Sequence, residues 1–160
     1  MKVRDLMSQP VRTCHRDQTV NAAAQIMWER DCGIVPIVGE DERLVGVITD
    51  RDICMAAFFQ NRPLSEIRIG EVMAATISTC RPDDEVIDAE HLMSQRQVHR
   101  LPVVNEIGSP VGLLSLADVA RRVHTSAGSK KNGVTDLAET IAAICEPHGE
   151  FVGQIANRRA

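Results

Sequence analysis

The chain is poor in rings, with one Trp, three Phe and no Tyr among its 160 residues. A flat ligand would therefore be held between aliphatic side chains rather than by aromatic stacking. No apolar run approaches the ~18–20 residues needed to cross a bilayer. The opening MKVRDLMSQP carries charges with no apolar stretch behind them, which excludes a secretory signal. A cytoplasmic protein without membrane contact is expected. The five cysteines form no CxxC pair and read as reduced small hydrophobes. The close Cys/His pairs are Cys14–His15 and Cys145-x-x-His148, short of the converging ligands that tetrahedral zinc requires, so no metal is expected. Basic clusters are confined to Lys130–Lys131 and Arg158–Arg159 in a chain of net charge −4, which argues against nucleic acid. No G-x-S-x-G, P-loop or H-E-x-x-H string is found, and no carboxylate pair is placed for acid–base work. Catalysis is not expected.

What the chain does have is itself, twice. Val3–Ile53 and Ile69–Val119 align without a gap at a constant offset of 66 positions, and 14 of the 51 pairs are identical. Among them are Met7/Met73, Cys14/Cys80, Asp17/Asp83, Met27/Met93, Pro36/Pro102, Gly46/Gly112 and Asp52/Asp118. A duplicated unit this short implies two copies packed face to face about a pseudo-twofold axis, with paired clefts between them.

Each copy reads as the same β-α-β-β-α series, so the expected class is α+β. A short segment (Val3–Met7; Ile69–Met73) leads to an extended stretch (Val11–Cys14; Ile77–Cys80). Asp17 or Asp83 then opens a helix with one apolar face, Val20, Ala23, Ala24 and Met27 or Val86, Ala89, Leu92 and Met93. A hairpin follows (Ile34–Val38 and Leu44–Ile48; Leu101–Val104 and Val111–Leu114), and a second helix begins at Thr49 or Ser115. Pro36 and Pro102 inside the first hairpin strand suggest a free edge there. The expected division is residues 1–66 for the first copy with its linker, 67–124 for the second, and 125–160 for a connector, an amphipathic helix and a tail. That last helix would start near Asp136, with Asp136 and Glu139 as a capping box and Leu137, Ala138, Ile141, Ile144 and Cys145 as its stripe. It would cover its own subunit, or else serve a dimer interface or an unknown target protein.

The strings G-V-I-T-D-R-D-I (Gly46–Ile53), G-L-L-S-L-A-D-V (Gly112–Val119) and V-H-R-L-P-V-V (Val98–Val104) resemble the CBS domain family, named for cystathionine beta-synthase. The resemblance covers both copies, roughly Val3 to Arg122. It implies a stand-alone tandem CBS module that binds an adenosine-containing small molecule between its repeats. AMP, ADP, ATP, S-adenosylmethionine or NAD(H) would be the regulatory ligand, with no cofactor required. It also implies a homodimer that signals through dimer geometry.

Thr49–Asp52 and Ser115–Asp118 share a T/S-x-x-D spacing at a strand-to-helix joint, a place that favours phosphate. A carboxylate one turn on can accept two hydrogen bonds from a ribose diol, the role the resemblance implies for it. The same spacing is also a helix-capping arrangement that needs no ligand, and the two uses can coexist. By family geometry, one cleft would join Leu113, Ser115, Asp118 and His99 to Cys32, Gly33 and the segment Met7–Pro10. The other would join Val47, Thr49, Arg51, Asp52 and Ile34 to Val98 and the segment Met73–Ile77. Arg100 would lie near the phosphates or adenine. The copies differ at Gly33/His99, Ile34/Arg100 and Arg51/Ala117, so unequal affinities are expected. The alternative is a dimeric scaffold or partner-binding subunit with vestigial clefts.

Overall fold

The computed structural model describes residues 1–126 together with Thr140, Ile141, Ala143 and Ile144. The first repeat contains β1 (Cys14–His15), α1 (Val20–Arg30), β2 (Ile34–Val38), β3 (Leu44–Thr49) and α2 (Asp50–Gln60). After a 3-10 turn at Leu64–Glu66, the second contains α3 (Ile69–Val72), α4 (Val86–Arg96), β4 (Arg100–Val104), β5 (Pro110–Ser115) and α5 (Leu116–Ser126). This is the expected mixed α+β architecture in two pseudo-equivalent lobes.

Each lobe is a hairpin backed by helices. β2 pairs antiparallel with β3 (Ile34↔Thr49 through Val38↔Leu44), and β4 with β5 (Arg100↔Ser115 through Val104↔Pro110). Both hairpins shift register one residue from the end, at Ile37/Val38 and at Val103/Val104. The apolar stripes of α1 and α4 bury Val20, Ala23 and Met27, and Val86, Ala89 and Met93, beneath them. Three helices stop on a left-handed residue, Asp31, Asn61 or Gln97, whose amide turns back to the last helical carbonyls.

The helices α1 and α4 begin three residues later than Asp17 and Asp83, with Thr19 and Glu85 at the N-cap. The reason is a crossing of chain segments. The Ile69 amide donates to the Gln18 carbonyl, the Gly70 amide to Arg16 and the Val20 amide to Ile67, so residues 16–19 form a ledge for the opening of the second repeat. The equivalent bonds run from Val3 to Asp84, Arg4 to Pro82 and Val86 to Met1. Each lobe therefore takes the opening segment of the other repeat. Ile67 and Ile69 are fully buried in the core around Val35, Ile37 and Ile48, and Val3 in the core around Leu101, Val103 and Leu114.

The prolines do not mark a fully free edge. In the first lobe β2 lies between β1 and β3, and in the second the Cys80 amide donates to the Pro102 carbonyl at 3.1 Å. The N and C=O of one strand residue face the same side, so the missing N–H points to where pairing with the Cys80 segment has not yet begun. Of the expected final helix, the four described residues are helical. Ile144 is buried in the second lobe's core while Ile141 is exposed. Asp136, Leu137, Ala138, Glu139 and Cys145 lie outside the described residues.

Candidate functional site

Both T/S-x-x-D pairs sit where the second hairpin strand turns into a helix, and both close a capping box. The Thr49 amide and hydroxyl donate to Asp52 Oδ2 at 2.9 and 2.7 Å, while the Asp52 amide donates back to Thr49 Oγ1 at 3.2 Å. In the second lobe the Ser115 amide and hydroxyl donate to Asp118 Oδ2 at 2.8 and 2.5 Å, with the Asp118 amide returning to Ser115 Oγ at 3.2 Å. The hydroxyls are thus not free groups facing outward. They orient the carboxylates, and capping is a real part of what these residues do.

The crossing segments bring the opposite repeat to each joint. Ser8 and Leu113 exchange backbone bonds at 2.8 and 3.1 Å, and Ala74 and Val47 at 2.9 and 3.0 Å. Gly46 and Gly112 make this approach possible. A Cβ at Gly112 would stand 2.7 Å from the Met7 sulfur and 3.1 Å from the Ser8 carbonyl, and at Gly46 the same distances to Met73 and Ala74. The joining of Leu113, Ser115 and Asp118 to Met7 and Ser8 is therefore present, as is that of Val47, Thr49 and Asp52 to Met73 and Ala74.

Ile34 and Arg100 open β2 and β4, with Gly33 and His99 immediately before them. Ile34 is the register partner of Thr49, and Arg100 that of Ser115. The Gly33 carbonyl accepts from the Asp50 amide at 3.4 Å and the His99 carbonyl from Leu116 at 2.9 Å. A Cβ on Gly33 would lie 2.8 Å from the Asp50 carboxylate and 3.3 Å from the Arg100 guanidinium. His99, Arg100 and Arg51 are exposed, Ile34 is buried, and Cys32, Val98 and Ile77 are half-buried. Cys32 packs on the first core and Val98 on the second. Pro10 is exposed and follows a cis peptide bond.

Residues missed from the sequence are Asp50 and Arg121, and Ser8 is placed there only as part of Met7–Pro10, without its bond to Asp118. Ser8 Oγ donates to Asp118 Oδ1 at 3.4 Å, and the Arg121 guanidinium also bonds that oxygen. At the repeat offset Ser8 corresponds to Ala74 and Arg121, just past the aligned stretch, to Met55, so these two mismatches carried the signal. Two measurable clefts lie elsewhere. One of about 410 Å³ is flanked by Thr79, Cys80, Asp84, Asp88 and His91, and one of about 1080 Å³ by His15, Arg16, Glu40, Arg68 and Glu71. Neither reaches the hydroxyl–carboxylate pairs. In the first, burial pushes the Cys80 thiol up to about 12, helped by the nearby Asp84 charge. Among the described residues no group of three His, Cys, Asp or Glu side chains could hold a metal, and no helix is long and apolar enough to cross a membrane. His148 lies outside the described residues.

Comparison with known proteins places this geometry. The CBS domain profile matches residues 3–58 and 69–125. Hypoxic response protein 1 of Mycobacterium tuberculosis is 32% identical over 144 residues, covering 90% of this chain and 94% of that protein. The crystal structure of the CBS domain pair of protein MJ0100 in complex with 5′-methylthioadenosine and S-adenosyl-L-methionine aligns at a TM-score of 0.72 and 28% identity, covering 79% of this chain and 98% of that one. A structure of Hypoxic Response Protein I with two coordinated zinc ions aligns at 0.68 and 33%, covering 76% and 98%. With both repeats matched and relatives of similar length, the chain belongs to the CBS domain family.

Proposed function

We propose that the chain is a cytoplasmic regulatory sensor without catalytic activity, which binds an adenosine-containing ligand beside each Thr49–Asp52 and Ser115–Asp118 joint. The observation that carries this reading is the double placement of an oriented carboxylate at a helix N-terminus, each against a segment of the other repeat. The amide-rich helix start suits a phosphate or other anionic group, and the carboxylate suits a ribose diol. The MJ0100 pair, complexed with two adenosine compounds, supports that ligand class. Val47, Ile34, Val98 and Ile77 would line one cleft with Arg51 near its phosphate. Leu113, Cys32, Gly33, His99, Arg100 and Pro10 would line the other.

The signalling form we propose is a homodimer. Trp28 on α1 and Phe58 and Phe59 on α2 are 89%, 73% and 57% exposed. At about 200 Å² per aromatic side chain, the three rings offer about 440 Å² per copy. That is a large share of the ~800 Å² each partner contributes to a stable interface. The positions 66 residues on are Ser94, His124 and Thr125, so this apolar face belongs to the first repeat alone. The test is calorimetric titration of nucleotide-stripped protein with AMP, ADP, ATP, NADH and S-adenosylmethionine, alongside the Asp52→Ala/Asp118→Ala double variant. Saturable binding by the wild type and its loss in the variant are expected. Absence of binding by the wild type, with a melting temperature indifferent to every ligand, would overturn the sensor in favour of a dimeric scaffold.

A further inference from the structure

The two carboxylates are oriented alike but are not equally occupied. An ionised carboxylate offers about four acceptor positions, two on each oxygen. Asp118 has a donor for each: the Ser115 amide and hydroxyl on Oδ2, and Ser8 Oγ and Arg121 Nη2 on Oδ1. Asp52 has donors on Oδ2 only, from the Thr49 amide and hydroxyl, and no described residue donates to its Oδ1. The difference is written in the repeat alignment, since Ser8 and Arg121 correspond to Ala74 and Met55, neither of which has a side-chain donor.

Burial sharpens the contrast. Asp118 is 8% exposed, so its charge is largely removed from water, and Arg121, with its side chain 70% exposed, reaches in from solvent to complete it. An incoming diol must displace the guanidinium and the serine hydroxyl before it can bond Oδ1. At Asp52 no described residue occupies the two acceptor positions of Oδ1.

We infer that Arg121, with Ser8, is a self-ligand that occupies the diol-binding oxygen of Asp118, so that a ribose-bearing ligand fills the Asp52 cleft first and the Asp118 cleft only by displacing Arg121. This rests on the proposed reading of the joints as ribose sites, and it adds the order of filling and the residue that sets it. Arg121 acts here as a positioning residue, holding Asp118 rather than touching the ligand. Its position three residues after Asp118 on the same helix keeps it in place without a ligand.

The experiment is calorimetric titration with AMP and with 2′-deoxy-AMP, which lacks the diol. Wild-type protein should show a tighter and a weaker AMP site, and Asp52→Ala should remove the tighter one. Arg121→Ala should strengthen the weaker site by roughly two- to fivefold, the range of ion pairs that solvent reaches. A gain of affinity is not what loss of a structural contact produces. Met55→Arg, which installs the same side chain in the first lobe, should weaken the tighter site by a similar factor, with Met55→Ala as its control. 2′-Deoxy-AMP should lose most at the tighter site and respond little to Arg121→Ala. If wild type binds AMP but Asp118→Ala removes the tighter site and Arg121→Ala leaves both unchanged, the inference fails while the sensor reading stands. If neither wild type nor Arg121→Ala binds AMP, both fall.

Discussion

Val3 is the third residue of the chain, yet it is fully buried in the core of the second lobe with Leu101, Val103 and Leu114. Residues so near a terminus usually tolerate change, so Val3→Ala separates the crossed arrangement from a simple one. The substitution removes the equivalent of two methylene groups, about 1.6 kcal/mol at ~0.8 kcal/mol each. Incomplete collapse of the space left behind raises this to about 2–3 kcal/mol. The backbone bonds from Val3 to Asp84 and from Arg4 to Pro82 hold the segment in place, so the cavity cannot simply be filled by sliding. Urea unfolding followed by far-ultraviolet circular dichroism measures the loss for the whole chain. The single tryptophan, Trp28 on α1, follows the first lobe. The equivalent change in that lobe, Ile69→Ala, should cost about 2–5 kcal/mol and move the Trp28 transition directly. A Val3→Ala loss below about 0.5 kcal/mol, the range of ordinary surface substitutions, would refute the reasoning. It would mean that the opening segment is not part of the second lobe's core.

Thiol chemistry should divide by burial: Cys54 is exposed, while burial raises both Cys14 and Cys80, the latter to about 12. Maleimide at pH 8 with peptide mapping should label Cys54 in the native protein and Cys80 only on unfolding; native labelling of Cys80 at a comparable rate would contradict its placement. Glu85 is held down to about 2 by hydrogen bonds from the Lys2 ammonium and the Met1 amino group. A carboxyl depressed on folding contributes stability above its unfolded value of 4.5 and loses it as pH falls from there towards about 2. Wild type should therefore lose more stability than Glu85→Gln between pH 5 and pH 3 in acid titrations, and equal losses would dismiss the pairing. Trp28 emission should shift to the red on dilution as the dimer separates, and Phe58→Asp should hold it red at all concentrations. An emission maximum that ignores both would rule out the first-repeat face as the interface, and loss of the blue-shifted form in Ser94→Arg would mean that first repeat packs on second.

Most of the architecture was legible because it is local. The run Ile34–Val38 forms β2 over those same residues, and the i, i+3, i+7 positions Val20, Ala23 and Met27 face the core. Thr49 caps its helix because a hydroxyl three residues before an amide is enough to satisfy it, whatever the rest of the fold does. The crossing of segments was not legible from periodicity; only the family resemblance, which joined Met7–Pro10 to Asp118 and Met73–Ile77 to Asp52, implied it at the site. Val3 and Ile69 are both β-branched aliphatic residues at the same place in their repeats, so either would fill either core, and periodicity does not say which. The late start of α1 has the same origin, since residues 16–19 are drawn into bonds with a segment some fifty residues away. At the candidate site the carboxylates and the segments facing them were visible, and the individual side-chain donors to Asp118 were not. Arg121 could have been read from its spacing to Asp118, but Ser8 reaches Asp118 across 110 positions and only through the crossing.

That crossing is what gives a bound ligand leverage. Were each repeat to supply its own opening segment, a ligand at Asp52 or Asp118 would touch one lobe, and its binding energy would stay within that lobe. Here the segment beside Asp118 is continuous with the chain that leads to β1 of the first lobe, and the segment beside Asp52 leads into the second. Any change in how Met7–Ser8 sits on Leu113, or Met73–Ala74 on Val47, is a change in how the two lobes sit on each other. A ligand shifts such an equilibrium only by binding one arrangement better than the other. The Arg121–Asp118 bond supplies a definite difference between two states, closed by the protein's own side chain or opened by a diol. An ion pair that solvent reaches from the Arg121 side suits that role, because a stronger one would take more of the ligand's binding free energy to open. The duplication therefore supplies two oriented carboxylates, and the mismatches Ser8/Ala74 and Arg121/Met55 make one of them conditional.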